Sequence, residues 1–169
     1  MPVIRVVIVT GIVAAAGALA GAAGAAPATR LFAGGSWAAV DRGAVCEAGT
    51  RSEKIAAKGK VQAMAGFAFS ADRRRWGEFY LRLSRPSRPG STVILSIGGQ
   101  PFLLSGRGDW AWSSSAAQQS AIMAAVRSNP RMTVEARDSA GRRFRDPYRL
   151  DGAPTAIDAA AARCAGKMR

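Results

Sequence analysis

The stretch KVQAMAGFAFSADRRRWGEFYLRLS, residues 60–84, decides the fold class. In its first half Val61, Ala63, Ala65, Phe67 and Phe69 fall at every second position. Successive side chains leave a strand on opposite faces, so a period of two marks a half-buried strand over Lys60 to Ser70. Asp72-Arg73-Arg74-Arg75 reads as a charged turn. Alternation then resumes from Trp76 to Ser84, with Phe79, Leu81 and Leu83 facing one way and Glu78, Tyr80 and Arg82 the other. Two amphipathic strands across a short polar turn make an antiparallel pair, and the chain on either side repeats the theme.

Downstream, Pro86-Ser87-Arg88-Pro89-Gly90 breaks the pattern as a loop. Ser91 to Ile97 and Gln100 to Ser105 are two apolar runs joined by Gly98-Gly99, which predicts a hairpin. Arg131 to Arg137 sets Met132, Val134 and Ala136 on one face, and after Ser139-Ala140-Gly141 the run Arg142 to Leu150 carries Phe144, Tyr148 and Leu150. Upstream, Leu31 to Val40 and Ala44 to Glu47 add shorter strands. Two segments have helical spacing instead. Ser113-Ser114-Ser115 offers an N-cap before Ala116 to Arg127, and Pro154 to Ala165 places Ile157, Ala160, Ala161 and Cys164 on one face. The expectation is a mainly β domain of about seven strands, an antiparallel β-sandwich or partly open barrel, with two short helices.

Composition narrows the chemistry. The chain has 169 residues, 24 Lys and Arg against 11 Asp and Glu, a net charge of +13, and no histidine. Without histidine there is no triad with a His base and no His-ligated metal, and two cysteines cannot build a four-thiolate site. No cofactor and no metal are expected. Met1 to Arg5 is weakly basic, Val6 to Ala22 carries no charge, and small residues at Ala23 and Ala25 precede Pro27. This order describes a secretory signal peptide over residues 1–25, cut between Ala25 and Ala26, ahead of a single β-rich periplasmic domain over 26–169. The protein is therefore expected in the periplasm or secreted, with no transmembrane span after cleavage. In an oxidising compartment an even cysteine count favours pairing, so Cys46 and Cys164 are expected to form a disulfide.

Trp37 before Cys46, the middle stretch SIGGQPFLLSGRGDWAW and the tail DPYRLDGAPTAIDAAAARC together resemble the invasion-associated locus B family of alphaproteobacterial exported proteins. The most specific element is the tail pattern D-x-Y-x-L-x-G, here Asp146, Tyr148, Leu150 and Gly152, with Ala153 where an aromatic usually follows. The resemblance implies a periplasmic or envelope location and a β-rich fold. It brings no catalytic residues.

Two basic clusters are the candidate anion-binding residues: Arg73, Arg74 and Arg75 beside Trp76, and Arg142, Arg143 and Arg145. Guanidinium forks match phosphate and carboxylate geometry; the bland alternative is a pair of solvated turns. For an exported protein the fitting partners are lipopolysaccharide, anionic lipid headgroups or another envelope protein, and no nucleic acid is expected. Arg107-Gly108-Asp109 is an integrin-type tripeptide in a position where Gly-Asp is ordinary turn chemistry. Trp110 and Trp112 share one face of a strand, either plugging the core beneath the helix or forming an exposed face, and burial is the expectation. Asp109, Asp146, Glu47, Glu53 and Glu78 are the carboxylates near loops or strand ends, and no motif pairs them. The reading is a non-enzymatic envelope-associated β-domain that binds an anionic component or a protein. The competing reading is a secreted hydrolase acting on an acidic polymer through an Asp/Glu pair.

Overall fold

The structure, a computed structural model, describes residues 27–167, so the expected leader lies outside the described residues. Ten strands and two helices follow in chain order. They are β1 (Thr29–Gly34), β2 (Trp37–Asp41), β3 (Val45–Arg51), β4 (Met64–Ser70) and β5 (Trp76–Arg82), then β6 (Val93–Ile97), β7 (Gln100–Arg107) and β8 (Trp110–Trp112). Helix α1 (Ala116–Ser128), β9 (Arg131–Arg137), β10 (Arg143–Arg149) and α2 (Ala153–Ala165) complete the domain. All strands join one antiparallel sheet in the order β1-β2-β3-β4-β5-β8-β7-β6-β9-β10, which does not close. The mainly β fold with two helices is as the sequence predicts.

The strand count is higher than the expected seven. The run Leu31 to Val40 is two strands, because the chain reverses at Gly35-Ser36. The expected strand over Lys60 to Ser70 begins only at Met64. Before it, the Gln62 side chain holds a loop together: its Oε1 accepts from Ala56 N at 2.9 Å and its Nε2 donates to Lys54 O at 3.1 Å. A side chain that satisfies loop backbone in this way competes directly with ladder pairing.

Inward-facing side chains of the curled sheet build one core. Phe67 lies between Phe79, 5.2 Å away between ring centroids, and Trp37, 6.3 Å away. Ile122 and Val126 of α1 and Ala156, Ile157 and Ala160 of α2 are buried against the same core. Ser115 caps α1, its Oγ accepting from Gln118 N at 3.1 Å. Helix α2 lies across β1 to β4 and is fixed twice. Cys46 on β3 and Cys164 form the expected disulfide, with Cα atoms 5.8 Å apart. Beside it, Asp41 accepts from Arg163 Nε at 2.6 Å and from Lys167 Nζ. The two ends of the sheet also approach each other. Glu53 N and Ser52 Oγ, just beyond β3, donate to Pro147 O of β10, and Trp37 Nε1 donates to Arg149 O at 3.0 Å. These links make the sheet a partly open barrel rather than a flat ribbon.

Candidate functional site

The β9–β10 hairpin is organised by a buried carboxylate. Asp138 accepts from Ala140 N at 3.1 Å and Arg142 N at 3.0 Å, and it pairs with Arg85 and Arg142, each at 3.2 Å. Burial alone raises a carboxyl pKa, but these donors outweigh it and hold Asp138 below its ordinary 3.8. Ser87 bridges to Asp138, and Arg88 N donates to Arg137 O at 2.8 Å, so the Pro-rich loop after β5 runs alongside the hairpin.

This arrangement opens a basic recess. One lobe, about 970 Å³, is bordered by Lys54, Arg85, Arg137, Arg143 and Arg145 around Phe144 and Ile94. A second, about 650 Å³, shares Lys54, Arg85, Phe144 and Arg145 and adds Lys60 and Arg142. Three carboxylates reach the two lobes: Glu135, Asp138 and Asp146. Asp138 is engaged as described, Glu135 lies 3.5 Å from Arg145, and Asp146 accepts from Ser84 N and Oγ at 3.0 and 2.7 Å. Arg143 and Lys60 have no carboxylate within ion-pair distance among the described residues. Lys54 Nζ donates to Arg145 O and Arg137 to Gly141 O, which leaves both charges uncompensated. Seven cationic groups therefore face three anionic ones, and the surplus is positive. Lys54 and Lys60 of the β3–β4 loop, Arg85 after β5 and Arg137 of β9 come from three separate segments, so no local run in the sequence announces them.

The other basic cluster does not join this recess. Arg73, Arg74 and Arg75 occupy the β4–β5 turn, where Arg73 lies 5.9 Å from the Trp76 ring centroid. Arg74 and Arg75 sit 3.5 Å from Asp72 and Glu78. That turn is at the Trp76 end of β5, whereas the recess is tied to the Arg82 end: Ser87, which bridges to Asp138, also donates to Gly108 O between β7 and β8. The six arginines thus occupy two places.

Burial of the Trp110–Trp112 pair in the core is not observed. Ala111 is the buried residue of β8, paired with buried Leu81, while Trp110 is 37% exposed and Trp112 half-buried on the opposite face. The inner layer at β8 is already occupied by the Leu81 side, so the larger rings turn outward. Arg107-Gly108-Asp109 is the β7–β8 turn: Asp109 accepts from Arg82 Nε at 3.2 Å, and Asp109 O accepts from Leu83 N at 2.7 Å. The remaining weighed carboxylates have partners as well. Glu47 pairs with Arg42 at 2.6 Å and Glu53 with Arg131 at 3.1 Å.

Among the described residues no three His, Cys, Asp or Glu side chains gather as metal ligands, and no helix is long and apolar enough to cross a membrane. In comparisons with protein-family models, curated proteins and solved structures, the chain matches none.

Proposed function

We propose that this is an exported, envelope-associated β-domain of the invasion-associated locus B type, located in the periplasm or secreted, with no catalytic step of its own. Its task is to hold an anionic envelope component, phosphate-bearing lipopolysaccharide or lipid headgroups, at the β9–β10 recess. The observation that carries the reading is the surplus of cations there, with Arg143 and Lys60 lacking carboxylate partners among the described residues. The secretion pattern of residues 1–25 and the family resemblance support the location. Paired carboxylates favour binding over hydrolysis, since a glycosidase-like mechanism needs two carboxyl groups facing across a bond.

Co-sedimentation with phosphatidylglycerol vesicles tests this, using phosphatidylcholine vesicles as the neutral reference. Binding should fall steeply from low to physiological salt, where the screening length is about 8 Å. Replacing Arg142, Arg143 and Arg145 by glutamine should reduce binding far more than the same changes at Arg73, Arg74 and Arg75. Equal losses would mean that net charge alone is read, and the recess would have no special part.

A further inference from the structure

The outward face of the sheet carries a second constellation, independent of the basic recess and sharing none of its residues. Strand register lines up two rows across five adjacent strands, in the order β3-β4-β5-β8-β7. One row reads Arg51, Met64, Arg82, Trp110, Arg107. Its neighbour reads Gly49, Gly66, Tyr80, Trp112, Ser105. Paired residues in antiparallel strands share a face, so three aromatic rings and three arginines lie together on it. With strands about 4.8 Å apart, four steps from Arg51 to Arg107 span ~19 Å.

The rings are held in advance of any ligand. Tyr80 and Trp110 lie 6.3 Å apart between centroids. The Arg82 guanidinium sits 5.7 Å from the Trp110 centroid and is oriented by Asp109 at 3.2 Å. Tyr80 rests against Gly66: a Cβ there would come within 2.8 Å of the Tyr80 Cζ and Oη, so the glycine allows the ring its close seat. Beside Tyr80 a shallow recess of about 520 Å³ is bordered by Met64, Arg51 and the Arg42–Glu47 pair. Among the described residues no carboxylate lies within ion-pair distance of Arg51 or Arg107. Fixed side chains lose little freedom on binding, which favours affinity.

We propose that this face is a stacking track for an acidic polysaccharide, with pyranose rings on Trp110, Trp112 and Tyr80 and uronate carboxylates on Arg51 and Arg107. The C–H face of a pyranose is apolar and covers an aromatic ring, whereas its hydroxyl edge needs planar polar partners. The Arg82–Asp109 and Arg42–Glu47 pairs flank the rings and keep free donors and acceptors. A purely apolar partner would leave those pairs desolvated, and a neutral glycan would leave Arg51 and Arg107 unused.

Isothermal titration calorimetry with a galacturonate hexamer tests the proposal, with a glucose hexamer as the neutral probe. The acidic hexamer should bind more tightly than the neutral one. Trp110→Ala should weaken it about tenfold or more, the equivalent of ~1.4 kcal/mol. Trp110→Phe, which keeps a ring, should retain most of the affinity, and Arg107→Gln should weaken it without touching the core. Trp110→Ala should leave co-sedimentation with phosphatidylglycerol vesicles unchanged, which separates this track from the vesicle-binding recess. No binding of the acidic hexamer, equal binding of the neutral one, or full affinity in both Trp110→Ala and Arg107→Gln would each overturn the proposal.

Discussion

Gly152 opens α2 with a φ of +86°, and a Cβ there would lie 2.1 Å from Gly34 O and 2.9 Å from Gly34 C. Gly152→Ala therefore meets two separate obstacles. The left-handed conformation costs an L-residue about 1 kcal/mol. The clash is with backbone, not with a flexible side-chain end, and the Gly34 region is held in place by Ser36 N donating to Asp151 O at 3.0 Å. Relieving it means parting the β1–β2 turn from the start of α2, so we expect a total loss of about 3 kcal/mol or more, at the upper end of single substitutions. With a urea m-value of about 2 kcal/mol/M, the unfolding midpoint should drop by ~1.5 M. The melting temperature should fall by about 6–12 °C. Gly59→Ala is the matched control, because Gly59 also has positive φ (+78°) but no atom within 4 Å of the added Cβ. It should lose only the conformational part, about 1 kcal/mol. Equal midpoints for the two variants, measured by circular dichroism in urea, would refute the steric argument.

Two further outcomes follow from the buried polar groups. Hydrogen bonds from Lys167 and then Arg163 overcome burial and hold the Asp41 carboxyl well below its ordinary 3.8, so its contribution is complete above that value and lost as pH falls toward the folded-state value. Urea midpoints should decline on acidification below about pH 4, and Asp41→Asn should flatten that decline; an unchanged slope in the variant would place the acid sensitivity elsewhere. The Tyr148 hydroxyl is buried without a hydrogen-bond partner among the described residues, and burial pushes its pKa up. Tyr148→Phe should therefore leave stability unchanged or raise it by about 1–3 kcal/mol, and a clear loss in the melting temperature would count against this.

The alternating runs around Phe67, Phe79, Leu95 and Val134 were legible in the sequence because burial on one side of a sheet imposes a period of two. The disulfide was legible from the even cysteine count, read together with the expected exported location. In β8, by contrast, alternation shows that Trp110 and Trp112 share a face but not which face, and a small buried residue such as Ala111 gives hydrophobicity too little weight to decide. The Leu31 to Val40 run concealed a reversal because its flanks are apolar on both sides of Gly35. At the basic recess the Arg142 to Arg145 cluster could be seen, whereas Arg137 is set there by pairing with Arg143 across the hairpin, Arg85 by the bridge between Ser87 and Asp138, and Lys54 by contacts of the β3–β4 loop with β10. The tail pattern that carries the family resemblance turns out to be architectural. Asp146 is anchored on Ser84, Tyr148 and Leu150 are in the core, and Gly152 seats α2 against Gly34.

The link between the end of β3 and β10 also bears on how the edges of the sheet are protected. A sheet that stays open offers two rims to other chains, and hydrogen bonding along both would allow end-to-end growth into fibres. Here the β10 rim is partly spoken for: Glu53 N and Ser52 Oγ occupy Pro147 O, Lys54 Nζ occupies Arg145 O, and Pro147 itself has no N–H to offer. Among the described residues β1 pairs only with β2, so its outer edge differs from that of β10. Two rims so unlike cannot dock head to tail by strand pairing alone, and that asymmetry works against end-to-end growth.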